Sequence, residues 1–202
     1  MQRIKAVIFD WGGVLIDDPA PGLMRYCAKA LGVSKKKYTQ THLKFAASFQ
    51  TGKISENRFW TLICKKLNVS KPKSRSLWAD AFRTVYSPKA EMFKLAGLLR
   101  EKGCKTAILS NTEMPAMKYF HQQRYDVFDV KIFSCAVEMK KPDRKIYELV
   151  LRKLKVKPDE AAFIDDRKDF LNGAKKAGLK TILFKSARQV KTRLSKFGLR
   201  TD

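Results

Sequence analysis

Ile4-Lys5-Ala6-Val7-Ile8-Phe9-Asp10-Trp11-Gly12-Gly13-Val14-Leu15 decides how the rest of the chain is read. The first six residues form a short apolar run, rich in β-branched and aromatic side chains and too short for a helix. Such a run reads as a buried strand. It stops at a carboxylate, and two glycines follow at once, so an acid is carried out of the strand onto a tight loop. Ligands of open α/β sheets sit at the carboxyl ends of the strands. Taken alone, Asp10 serves equally well as an ordinary turn residue, where Asp is common. The remaining sequence has to choose between the two.

Working outward, residues 17–83 change character. Leu23, Tyr26, Cys27, Ala30 and Leu31 recur at helical spacing up to Gly32, and Leu43, Ala46 and Ala47 suggest a second apolar stripe that breaks near Gly52. Phe59, Ile63 and Leu67 mark a third helix, and Trp78, Ala81, Phe82 and Val85 a fourth. From Ser87, read as an N-cap with Pro88 in the first turn, strands and helices alternate. Thr106-Ala107-Ile108-Leu109, Val130-Lys131-Ile132-Phe133, Ala161-Ala162-Phe163-Ile164 and Thr181-Ile182-Leu183-Phe184 are the strand candidates, and Pro142 opens one of the intervening helices. This alternation predicts an α/β fold, a Rossmann-like doubly wound parallel sheet. Residues 1–16 and 84–202 would form the core, with 17–83 inserted as an α-helical cap.

Composition narrows the function classes. No apolar run reaches transmembrane length, and Met1-Gln2-Arg3-Ile4 lacks signal-peptide architecture, so a soluble cytoplasmic protein is the expectation. Cys27, Cys64, Cys104 and Cys135 are scattered without a C-x-x-C pair, which argues against zinc sites and disulfide frameworks. His42 and His121 are isolated, leaving little for a histidine metal site or a Ser-His-Asp triad. Forty-three Lys and Arg against 19 Asp and Glu give a net charge of +24, a field that attracts anions. The basic residues are dispersed and no nucleic-acid-binding motif accompanies them, so weak, salt-sensitive binding is the most that the charge implies.

Three predicted strands end in polar residues: Asp10, then Ser110-Asn111, then Asp165-Asp166. A parallel sheet brings all such ends to one edge, and Lys141 starts the helix after the third strand. The topology therefore gathers three carboxylates, a hydroxyl and an ammonium around one crevice. Carboxylate oxygens without His or Cys suit a hard cation such as Mg²⁺, and a carboxylate can also act as a nucleophile. Each piece has a plainer explanation as a helix cap or surface residue. It is their joint order that counts.

In that order, Phe9-Asp10-Trp11-Gly12-Gly13-Val14-Leu15, Leu109-Ser110-Asn111, Lys141-Pro142-Asp143 and Phe163-Ile164-Asp165-Asp166 resemble the four motifs of the haloacid dehalogenase superfamily, and the helical block resembles its small cap. The resemblance implies a Mg²⁺-dependent phosphatase acting on a small phosphorylated metabolite, a sugar phosphate among the candidates. Asp10 would attack phosphorus and form an aspartyl phosphate, Ser110 would hydrogen-bond the phosphoryl oxygens, and Lys141 would offset charge. Asn111 and the backbone at Gly12 and Gly13 would bind the phosphoryl group. Asp10, the Gly12 carbonyl, Asp165 and Asp166 would hold the metal. The rival readings are a dehalogenase, in which Asp10 attacks carbon, and a weakly catalytic protein that binds an anionic or nucleic-acid partner. Specific nucleic-acid binding is not expected.

The pattern breaks at Gly12, where phosphatases of the superfamily usually carry a second Asp that acts as general acid and base. Glu138 stands where a glycine is common, and Phe170 where relatives often have Asn. In the cap, Phe45, Phe49, Lys53 and Trp60 are candidates for meeting the substrate, with Lys53 suited to an anion.

Overall fold

A computed structural model of the chain describes residues 4–201. Met1 to Arg3 and Asp202, placed by the sequence reading at the two ends of the core, lie outside the described residues. Five strands, β1 (Ala6–Phe9), β2 (Lys105–Ser110), β3 (Val130–Phe133), β4 (Ala161–Asp165) and β5 (Lys180–Leu183), form one parallel sheet in the order β3-β2-β1-β4-β5. The strand nearest the start of the chain thus takes the central place. Phe9 pairs with Ile108 on one side and Ile164 on the other. One step further along this register, Asp10 emerges level with Asp165.

Alternation along the strands sorts the core into two layers. Val7, Phe9, Ile108, Ala162 and Ile164 face one apolar cluster, and Ala6, Ile8, Ala107, Leu109 and Phe163 face the other. Helices α5 (Ala90–Glu101), α6 (Met114–Gln122) and α10 (Ala187–Lys196) cover the first face. Helices α8 (Arg144–Leu154) and α9 (Lys168–Lys176) cover the second. This is the doubly wound α/β arrangement the alternation predicts. Among the described residues, no helix is long and apolar enough to cross a membrane.

Between β1 and α5 lie four helices: α1 (Ala20–Ala30), α2 (Lys35–Gln50), α3 (Glu56–Leu67) and α4 (Leu77–Val85). Three of them begin on serine caps, with the Ser34, Ser55 and Ser76 hydroxyls accepting from Lys37 N, Arg58 N and Ala79 N. Glu56 ties two of them together. Its Oε1 accepts from Trp60 Nε1 at 2.9 Å and from Trp78 N at 3.0 Å, and its Oε2 accepts from Ser76 Oγ at 2.7 Å. The block is sealed onto the first sheet face by rings: Trp11, fully buried, lies 5.0 Å from Phe82 of α4 and 5.3 Å from Phe120 of α6, centroid to centroid.

Several local expectations are corrected. Leu43 is 68% exposed and Ala47 is exposed, so the stripe of α2 is not Leu43, Ala46 and Ala47. Tyr38, Thr41, His42 and Phe49 face inward instead. Ser87 and Pro88 do not open α5, which starts at Ala90: the Ser87 hydroxyl donates to Asp17 Oδ2, and Pro88 bridges to Ile16. Pro142 also precedes its helix, because Asp143 takes the cap position and accepts from Lys145 N at 3.0 Å. A single turn, α7 (Ser134–Val137), follows β3 without a signal in the sequence.

Candidate active site

The site begins with how Asp10 is held. Its backbone N–H completes the pairing to the Ile164 carbonyl at 2.9 Å, so the residue leaves the sheet with its direction fixed. The loop then turns tightly about the Trp11 carbonyl, which accepts from the N–H groups of Val14, Leu15 and Ile16. Burial of Trp11 among aromatic rings pins this turn. Gly13 sits at φ 85°, and a Cβ there would collide with the Asp166 carboxylate. Both facts demand glycine.

Asp10 and Lys141 are both buried, and Lys141 Nζ lies 2.7 Å from Asp10 Oδ1 and 2.7 Å from Asp165 Oδ2. Trp11 N also donates to Asp10 Oδ1, at 2.7 Å. Asp165 Oδ1 accepts from Arg167 N at 2.8 Å. The Phe170 ring lies under the ammonium, 4.8 Å from centroid to Nζ, so the residue found where an amide is common offers a cation–π floor instead. Asn111 pairs with the lysine's own main chain. Its Oδ1 accepts from Lys141 N at 2.8 Å and its Nδ2 donates to the Lys141 carbonyl at 3.0 Å. Ser110, at the tip of β2, is buried and lines the same cavity.

The electrostatics favour a cation. Asp10, Asp165 and Asp166 each offer an oxygen within 4.8 Å of the others, a donor set of carboxylates alone. One lysine faces the two buried acids. Burial first, and then the neighbouring Asp165, push the Asp10 carboxyl up to about 8 against the pull of Lys141. Burial and Asp165 also raise the Asp166 carboxyl. A divalent ion among these oxygens would remove the repulsion, so the residues present fit Mg²⁺.

A cavity of about 320 Å³ opens over this cluster, with Asp10, Gly12, Ser110, Lys141 and Asp166 on the sheet side. Leu23, Met24, His42, Gln50, Trp78 and Phe82 of the inserted helices form the opposite wall. The structure places none of Phe45, Phe49, Lys53 and Trp60 there: Lys53 is exposed, and Phe49 and Trp60 are packed inside the helical block. His42 stacks on Trp78 at 5.4 Å with 2° between the planes, and burial pushes it down to about 4, which keeps it neutral. Glu113, just ahead of α6, also lines the cavity and was not among the residues that the sequence singled out. Its only signal there is its place three residues after Ser110.

The strand order and the acidic edge define a class, a Rossmann-like α/β protein with a carboxylate-centred crevice. The chain belongs to the haloacid dehalogenase-like hydrolase family, whose model matches residues 4–178. It is 29% identical to the bifunctional epoxide hydrolase 2 of Rattus norvegicus over 96% of this chain, and spans only 39% of that protein's length. It is 31% identical to a sesquiterpene phosphatase of Aspergillus oryzae, with 87% of each chain covered. Its fold is similar to that of a family enzyme from Bacteroides thetaiotaomicron crystallised with magnesium and inorganic phosphate, at a TM-score of 0.76, 23% identity and coverage of 90% and 94% of the two chains.

Proposed function

We propose that this hydrolase is a Mg²⁺-dependent phosphatase that cleaves a small phosphate monoester through a covalent aspartyl phosphate on Asp10, with α1 to α4 as the cap that selects the substrate. The observation that carries the reading is the pair of buried acids, Asp10 and Asp165, facing a single lysine, with Asp166 completing a set of hard oxygen donors. That crowding of acids becomes an asset when a cation and a phosphoryl group enter together. The similarity to a sesquiterpene phosphatase supports phosphorus as the target.

In this proposal Asp10 Oδ1 stays fixed by Trp11 N and Lys141 Nζ, leaving Oδ2 to attack in line. Ser110 Oγ donates to a phosphoryl oxygen, and the loop backbone at Gly12 and Gly13 approaches the group without side-chain obstruction. Lys141 neutralises charge shared between nucleophile and phosphoryl group. Asn111 acts one step back, as a positioning residue that fixes the lysine's main chain. Asp10, Asp165, Asp166 and the Gly12 carbonyl would hold Mg²⁺, which when bound offsets charge on nucleophile and phosphoryl oxygens. The small cavity suits a compact metabolite such as a sugar phosphate, its cap wall mixing Trp78 and Phe82 with His42 and Gln50.

The test is turnover of p-nitrophenyl phosphate and a panel of sugar phosphates. We expect Mg²⁺-dependent release of phosphate that disappears with a chelator and falls at least about 10³-fold in Asp10→Asn, the loss of a nucleophile. Chelator-resistant release of halide from 2-haloacids would replace this reading with dehalogenation. Salt-dependent nucleic-acid binding without turnover would replace it with a binding role.

A further inference from the structure

Gly12 leaves the proposed reaction without its usual proton donor, and no side chain at that position can supply one. The cavity itself holds the replacement candidates. Its carboxyl groups are Asp10, Asp18, Glu113 and Asp166, and its one histidine is His42. Asp10 is the proposed nucleophile and Asp166 belongs to the cation cluster. Asp18 is exposed, with its carboxylate accepting from Ala20 N at 3.0 Å at the start of α1. His42 is neutral and stacked, so it brings no acidic proton at neutral pH.

Glu113 differs from all of these. It is only 6% exposed, it stands where β2 gives way to α6, and it lines the cavity where that segment meets the helical block. Its Oε2 accepts from Trp78 Nε1 at 3.1 Å, and the Gln50 side chain hydrogen-bonds to it from α2. Among the described residues no cation pairs with it. The titratable groups that face it are Cys27 of α1, Tyr38 of α2 and Cys135 of α7, each held in its neutral form by burial, and neutral His42. A buried carboxyl in uncharged surroundings retains its proton.

From this placement we infer that Glu113 is the general acid and base of the reaction, in place of the side chain missing at residue 12. The inference rests on the phosphatase reading above. In the first step Asp10 Oδ2 bonds to phosphorus, the bond from phosphorus to the leaving oxygen breaks, and the Glu113 proton passes to that oxygen to give a neutral alcohol. In the second step water attacks phosphorus, the bond to Asp10 breaks, and the Glu113 carboxylate takes the water's proton. Both residues return to their starting states, and the sum is ester plus water giving alcohol plus phosphate. Burial raises the Glu113 carboxyl to about 7, a value at which it can both give and recover a proton near neutrality.

The experiment compares two esters in the whole, Mg²⁺-loaded protein. The p-nitrophenolate ion departs without a proton, whereas the alkoxide of glycerol phosphate requires one. In the wild type, we expect the ratio of glycerol phosphate to p-nitrophenyl phosphate kcat/KM to fall as pH rises from about 6 to about 8, as Glu113 loses its proton. In Glu113→Gln, measured under single-turnover conditions that isolate the first step, we expect a loss of about 10²-fold for the alkyl ester and a much smaller one for the nitrophenyl ester. The variant's ratio should no longer change with pH. A pH-independent ratio in the wild type, or equal losses for both esters in the variant, overturns the assignment and leaves Glu113 as a tie between cap and core. The wild-type profile decides the matter even if the variant does not fold. Asp10-dependent turnover with a flat ratio refutes Glu113 alone, whereas absence of Asp10-dependent turnover of either ester refutes the phosphatase reading with it.

Discussion

Lys141 is the residue on which the site's electrostatics turn. It is fully buried between two carboxylates, and removing one member of such a group leaves uncompensated charge in a low-dielectric interior. We expect Lys141→Met to lower stability by about 3–5 kcal/mol in denaturant titrations without divalent metal. Adding Mg²⁺ should restore part of that loss, and an equal loss with and without metal would mean that the carboxylates do not share an ion. The convergence of this lysine's neighbourhood was legible in the sequence because Asp10, Ser110, Lys141 and Asp165 each stand at a predicted strand end or helix start. Glu113 and His42 were not legible. A single acid and a single histidine have no spacing pattern, and their surroundings come from helices far away along the chain. Glu138 is a further departure with a visible cost: it adopts φ 54°, a left-handed conformation that glycine takes without strain.

At the level of elements, the inserted helices depend on Glu56 as a keystone, since one carboxylate receives three hydrogen bonds from α3 and the start of α4. Glu56→Ala removes them together and loosens the helix that carries Trp78 and Phe82 into the cavity. We expect a loss of about 2 kcal/mol or more by thermal or denaturant unfolding. Because this wall would move while Asp10 and Lys141 would not, KM should rise more than kcat falls; a change in kcat alone would contradict the wall's proposed part in substrate selection. The strands were read correctly from short β-branched runs, because a parallel sheet covered on both faces demands such runs. Helix α2 was misread for the opposite reason. Its inward face carries Thr41 and His42 beside Tyr38 and Phe49, so apolarity does not mark the buried side, and Leu43 is left in solvent.

Across the whole molecule, a net charge of +24 surrounds a crevice whose own groups are mostly acidic. Under the phosphatase proposal such a field would draw anionic esters in, while the local acids would take a cation. We expect kcat/KM for a phosphate ester to fall several-fold as salt rises from about 20 to about 200 mM, with kcat nearly constant, since screening acts on encounter rather than on the buried chemistry. A kcat/KM that ignores salt would assign the charge to some other task. The sign and size of this field were plain from composition. What composition does not disclose is the arrangement of the buried polar groups, because that arises only when the sheet edge and the helical block close on each other.

The central position of β1 has a consequence for how the protein comes into being. Its two neighbours are the stretches that begin near Lys105 and Ala161, so the earliest strand made waits for two of the later ones. A nascent polypeptide halted before residue 161 has Asp10 with one flank unfilled and lacks both Asp165 and Asp166. The full carboxylate cluster therefore forms only once β4 has been made, however much of the sheet has already assembled.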